Sequence, residues 1–157
     1  MEAAINEPKT NQESWGTAAL EQRRERVRRH LAAIASRRES WIRRNRYYYG
    51  LLGRLLRFLV EPHKKVLSVR CGTGFHLAAV LPKQGKGIDL CAEIVEIARQ
   101  QNPSFQFAVA FPDKENFREQ FESGEKFDYI LFSHIGDTVD TLQALRNLRP
   151  LCLRHTR

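Results

Sequence analysis

Long apolar runs are absent from this sequence of 157 residues. None approaches the stretch of about 18 apolar residues that a membrane-crossing helix needs, so no transmembrane segment is expected. The first residues are polar, and Glu2 and Glu7 stand where a secretory signal carries positive charge ahead of an apolar core. A cytoplasmic location is therefore expected. Cysteine is scarce. Cys71, Cys91 and Cys152 are odd in number and far apart, which argues against both a disulfide framework and a metal knuckle. His30, His63, His76, His134 and His155 add no ligand spacing, so no metal site is expected. Repeats and low-complexity tracts are also missing. The length suits one modest domain, and a hydrophobic fraction of 42% is enough to pack its core.

Arginine is what the chain has in excess, and the excess is localised. The net charge is +8, yet between residues 20 and 60 twelve arginines face only Glu21, Glu25 and Glu39, a surplus of nine that leaves the remainder at −1. No lysine occurs in that stretch. The planar guanidinium fork suits bidentate contact with phosphate or carboxylate. Three readings stay open for this segment: a solvated amphipathic helix, an arm gripping nucleic-acid phosphates, or a helix lying on an anionic surface.

Residues 1–16 lack periodicity and carry Asn6, Pro8, Asn11 and Gly16, so they read as a disordered leader. Residues 17–61 read as a helical arm. Leu20, Val27, Leu31 and Ile34 recur at helical intervals, and Ser36 followed by Glu39 fits a capping box opening a second helix. That helix groups Trp41, Tyr48, Leu51, Leu52, Leu55, Leu56 and Leu59 on one broad face and ends before Pro62. Two of Tyr47, Tyr48 and Tyr49 are expected to pack it onto the rest, with the third exposed.

From residue 62 to 157 the texture changes to alternating strands and helices. Strands are predicted at 65–69, 85–89, 105–109 and 127–133, with helices around 77–81, 92–101, 113–121 and 138–148. Strands apolar on both faces, separated by helices, predict a parallel sheet covered on both sides. The fold class is α/β: a Rossmann-like parallel sheet of about four strands, preceded by two N-terminal helices.

The segment VLSVRCGTG, residues 66–74, occupies a strand-to-helix turn. Glycines there let a backbone approach a ligand closely, beside the free N–H groups of a helix start. Asp89, at the tip of the next strand, can accept both hydroxyls of a ribose, although a carboxylate there also suits a local cap. Cys71 reads as a small filler rather than a nucleophile, having only Arg70 nearby to activate it. His134 fits a general base or a satisfied loop histidine.

Together with GIDLCAEIVEIARQQNP (87–103) and FDYILFSHIGD (127–137), this segment resembles successive elements of class I S-adenosylmethionine-dependent methyltransferases, in order and in spacing. RNRYYYGLLGRLLRFLVEPHKKVL (44–67) resembles the helix that commonly precedes their first strand, so the resemblance spans residues 44–150. It implies S-adenosylmethionine as cofactor. It also implies that the Gly72-Thr73-Gly74 turn lines the methionine portion, that Asp89 holds the ribose and that Leu90 lies against the adenine. Phe111 to Asp113 would flank the adenine amino group, and Ser133, His134 and Ile135 would stand where acceptor meets cofactor. No catalytic residue is implied, because methyl transfer relies mainly on proximity and orientation.

Two positions depart from the family pattern: Ser68 stands where an acid is usual, and Arg70 where glycine is usual. The Arg70 side chain either projects into the pocket or pairs with the cofactor's carboxylate. The complete fold has seven strands, so the chain reads as a cofactor-binding half that stops before the fifth. The fourth strand would then expose unpaired backbone and favour association. The leading expectation is methyl transfer to an unknown acceptor, with a mild preference for a small molecule or glycan. The alternatives are a non-catalytic methyltransferase remnant or a basic nucleic-acid-binding module. A nicotinamide dehydrogenase fits less well, since Arg70 and Leu77 break its glycine pattern.

Overall fold

The computed structural model describes residues 11–133 and 139–157, with side chains from residue 18 onward. Four short strands, β1 (Lys65–Val69), β2 (Gln84–Asp89), β3 (Gln106–Val109) and β4 (Tyr129–Phe132), form one sheet in the order β3-β2-β1-β4. Every pairing in it is parallel. Helices α3 (Phe75–Ala79) and α4 (Ala92–Gln101) follow β1 and β2, a 3-10 turn (Glu115–Gln120) follows β3, and α5 (Thr141–Leu148) follows β4. Two N-terminal helices, α1 (Asn11–Arg44) and α2 (Arg46–Leu59), precede the sheet. The Rossmann-like α/β class expected from the sequence is the class observed.

Both faces of the sheet are buried because neighbouring strand residues point opposite ways. Val66 joins Val60, Leu77, Val80, Val95 and Ala98 on one face. Leu67 and Val69 join Phe117, Phe127, Leu148 and Leu151 on the other. Strand β2 carries glycine at a packing position. A Cβ on Gly87 would lie 2.6 Å from the Phe107 ring and 2.9 Å from Cys71 Sγ, so only hydrogen fits.

The N-terminal helices divide differently from the expectation. No break occurs at Ser36. Its neighbour Ala35 is buried against Leu90, Cys91 and Ile94, and this packing carries α1 through the supposed cap. The helix ends at Asn45, whose side-chain amide donates to Trp41 O at 2.8 Å. Helix α1 also begins at Asn11, ahead of the expected boundary at Gly16, while the remainder of the expected leader lies outside the described residues.

Helix α2 is rotated relative to the predicted face. Tyr49 and Gly53 are buried, whereas Tyr48, Leu51, Leu55 and Leu59 are exposed. Gly53 faces α3, where an added Cβ would lie 3.7 Å from both Ala79 and Phe75, an ordinary packing distance. The Tyr49 ring meets Phe75 edge-on at 4.9 Å. One of the three tyrosines is packed, not two.

The outer edge of β4 is less bare than expected. Phe127 N donates to Leu151 O at 2.9 Å, Ile130 N donates to Arg157 O at 2.9 Å, and Arg157 N donates to Asp128 O at 3.1 Å. Buried Leu151 draws this segment in, and the backbone groups of the edge take the partners it brings.

Candidate cofactor crevice at the strand tips

The C-terminal tips of β1, β2 and β4 meet at a crevice, the usual ligand position in an open parallel sheet. The turn after β1 is anchored at both ends. Cys71 N donates to Ile88 O at 3.0 Å, and Gly74 N donates to Cys71 O at 3.1 Å. Gly72 and Gly74 have φ of +56° and +88°, a left-handed region in which glycine carries no penalty. No described residue lies within 4 Å of where a Gly72 Cβ would stand. Asn102, at the end of α4, donates to Thr73 O at 3.2 Å and steadies the turn from behind.

Asp89 connects the two strand tips. Its Oδ2 accepts from Gly72 N at 3.0 Å, and its Oδ1 accepts from Leu90 N at 2.8 Å and Cys91 N at 3.2 Å. Three N–H groups use part of the roughly four lone-pair sites of a carboxylate, so acceptor capacity remains on the crevice side. Ser133 ties β4 to the same turn: its hydroxyl donates to Arg70 O at 2.7 Å.

Gly72, Thr73, Asp89 and Ser133 thus line one crevice, shared with Arg38, Ile42, Tyr48, Tyr49, Arg70 and Phe75 among others. Gly74 and Leu90 do not line it. Gly74 packs toward Asn102 and Phe107, while Leu90 is buried beneath α1 with Ala35, Leu31 and Phe111. His134 and Ile135 lie outside the described residues. Burial pushes the Cys71 thiol far above its ordinary value, and the nearby Asp89 carboxylate adds to this, so the thiol is no nucleophile. Cys91 is raised by burial as well.

The end of the crevice where the resemblance puts adenine is occupied by α1. Arg24 is 4% exposed; it pairs with Asp113 and Glu21 and lies 5.4 Å over the Phe111 ring. Lys114 pairs with Glu21, and Asp113 also accepts from Asp140 N at 2.7 Å. Phe111 and Asp113 therefore bind the chain's own helix. The remaining crevice encloses about 150 Å³, below the roughly 300 Å³ at the small end of ligand sites. Ser68, where the resemblance expects an acid, is buried, and its hydroxyl has no hydrogen-bond partner among the described residues. Arg24, Arg38 and Asn102 are the site-shaping residues that sequence reasoning passed over. Only Asn102 had a signal, the Asn-Pro stop after α4.

No protein-family model matches the chain, and no curated protein matches it in sequence. Solved structures do. The SAH complex of DhpI aligns with a TM-score of 0.62 at 15% identity, covering 88% of this chain and 66% of that one. A putative methyltransferase of Haloferax volcanii, solved with the Trm112 methyltransferase activator, aligns at 0.60 and 20% identity over 78% and 55%. A SAM-dependent methyltransferase of Thermotoga maritima, described as a possible histamine N-methyltransferase, aligns at 0.60 and 18% identity over 78% and 55%. The chain has the Rossmann-like fold of class I methyltransferases. It spans about half the length of two of these chains and about two thirds of the third. Among the described residues, no helix is long and apolar enough to cross a membrane.

Proposed function

We propose that this chain binds S-adenosylmethionine at the strand-tip crevice and serves methyl transfer to a small-molecule or glycan acceptor. One observation carries the reading. The glycine turn and the β2 aspartate, 17 residues apart, meet at 3.0 Å, and no described residue stands over Gly72. Gly72 admits a ligand against bare backbone, Asp89 offers oxygen to ribose hydroxyls, and Ser133 fixes the neighbouring carbonyl. When bound, the cofactor supplies an activated methyl group for attack by an acceptor nucleophile.

The residues of the chain hold and orient, and exclude water with Tyr49 and Phe75, which matches chemistry driven by proximity. The nucleic-acid reading draws less support, because arginines of α1 serve internal pairs: Arg24 with Asp113, and Arg28 and Arg29 with Glu25. Calorimetry with S-adenosylmethionine, S-adenosylhomocysteine and a nicotinamide dinucleotide tests the proposal. Binding of the first two, lost in Asp89→Ala, is expected. Binding of the dinucleotide alone would exclude a methyl donor.

A further inference from the structure

Helix α2 carries a broad apolar face on the side opposite Gly53. Tyr47, Tyr48, Leu51, Leu55, Phe58 and Leu59 are all exposed, Tyr47 by 80% and Phe58 by 86%. At about 3.6 residues per turn these six fall on one continuous stripe. Exposed apolar residues scattered singly are ordinary, but six large ones on one helix face mark a contact surface.

The same helix carries a row of charge along one edge of the stripe. Arg46, Arg54 and Arg57 are exposed, and their spacing keeps them on one side of the helix. Arg54 borders the stripe directly, three residues after Leu51 and four before Phe58. Arg43 and Arg44, exposed at the end of α1, add to the basic run. From residue 40 to 60 the chain holds these five arginines and no acidic residue. None of the five pairs with a described carboxylate, whereas on α1 Arg24 meets Asp113, and Arg28 and Arg29 meet Glu25.

An occupant of this face has to cover leucines and aromatic rings while bringing negative charge beside them. A second copy brings none: pairing two such faces would gather both arginine rows with no carboxylate on either. A nucleic-acid backbone offers the charge but little apolar cover. An anionic bilayer surface offers both. Its acyl boundary takes leucine and phenylalanine, its headgroup level takes tyrosine rings, and its phosphates take arginine. We propose that the exposed face of α2 docks on an anionic membrane surface, with the helix lying in the interface. At 14 residues α2 is too short to span a hydrocarbon core of about 30 Å. Tyr48 also lines the strand-tip crevice, so docking sets the crevice mouth beside the lipid. The docking surface stands apart from the methyl-donor reading.

Vesicle co-sedimentation of the full chain tests it, using phosphatidylcholine vesicles with and without phosphatidylserine at roughly a third of the lipid. Wild type is expected to sediment with the anionic vesicles, not with the zwitterionic ones, and to be released as salt rises. Leu51→Gln with Phe58→Gln, and separately Arg54→Gln with Arg57→Gln, should each weaken partitioning by about tenfold or more. A control pair, Arg23→Gln with Arg26→Gln, removes exposed arginines roughly 30 Å away along α1 and should change it by no more than about threefold. All the substituted side chains are exposed, so melting temperatures should match wild type and lost binding is not lost folding.

No sedimentation at low salt, equal sedimentation with both lipids, or equal loss in the control pair overturns the proposal. A loss in the Arg54 and Arg57 pair with none in the Leu51 and Phe58 pair would reveal a plain electrostatic patch and overturn it too. So would a wild-type dimer in analytical ultracentrifugation that Leu51→Gln with Phe58→Gln converts to monomer, which would give the face to a second copy.

Discussion

The two ends of the crevice are built by opposite means. At the glycine-turn end, backbone groups and one carboxylate lock β1 to β2, and every partner comes from residues 70–91 or from the adjoining Ser133 and Asn102. At the other end, side chains of α1 reach across the fold. Arg24 meets Asp113, Ala35 meets Leu90, and Glu21 meets Lys114. The first end needs only a parallel sheet and two glycines. The second depends on a helix that the sheet does not itself require. The contrast teaches that this site has a constant floor and a helix-built roof, and the two can be perturbed separately.

The largest effect is expected from Arg24→Ala, which breaks the roof. It leaves Asp113 as a carboxylate 2% exposed without its guanidinium. Breaking one side of such a buried pair costs about 3–5 kcal/mol. Urea denaturation should register this loss, and Asp113→Asn in the same background should recover part of it. A loss no larger than that of a surface pair would mean that α1 is not clamped. The same variant should leave the floor intact, and with α1 loosened, adenosyl ligands should bind no more weakly than to wild type.

Asp89→Ala attacks the floor. The N–H groups of Gly72, Leu90 and Cys91 lose their acceptor together, for a cost of about 2–3 kcal/mol. Adenosyl-ligand binding should disappear as well, which distinguishes this variant from Arg24→Ala. Gly87→Ala follows at about 1–3 kcal/mol from overpacking, because its methyl would press on the Phe107 ring and Cys71 Sγ. A destabilised Gly87→Ala that still binds ligand would show that strand packing and crevice geometry are separable.

This division also explains what could be read from the sequence. The floor was legible because its parts are near one another: a strand, a turn with two glycines, a second strand ending on Asp89, and a helix stopped at Asn102. The roof was not. Arg24 and Asp113 are 89 residues apart, and nothing in an arginine-rich helix marks which arginine will be buried. The expected break at Ser36 failed for a related reason. A local cap signal lost to tertiary packing of Ala35, and the helix continued to Arg44. The rotation of α2 was hidden because its leucines and tyrosines surround the helix, and nothing local marks Tyr49 as the residue that meets Phe75. Leu90, which the resemblance sets against adenine, is buried with Ala35 of α1, a contact between distant residues that no local pattern announces.

The smallest effects concern charge, and they separate a carboxylate beneath the sheet from one on the roof helix. Burial works against the charge of Glu125, yet Lys86 at 2.9 Å and Glu122 N–H at 3.1 Å hold its carboxyl below the ordinary 4.5. A carboxyl that is more acidic when folded binds protons more readily when unfolded. Its contribution is therefore complete above about pH 4.5 and is lost as pH falls through the folded value. Glu125→Gln should flatten that acid limb in melting curves recorded between about pH 3 and 7. Hydrogen bonds from Arg28 and Arg29 hold the Glu25 carboxyl lower still, at about 2, but all three groups lie in solvent on α1. Water and salt screen such pairs, and ordering long side chains offsets their attraction. Glu25→Gln should thus leave both the melting temperature and its pH profile unchanged. A flattened acid limb in this variant would mean that the exposed face of α1 helps to hold the roof closed.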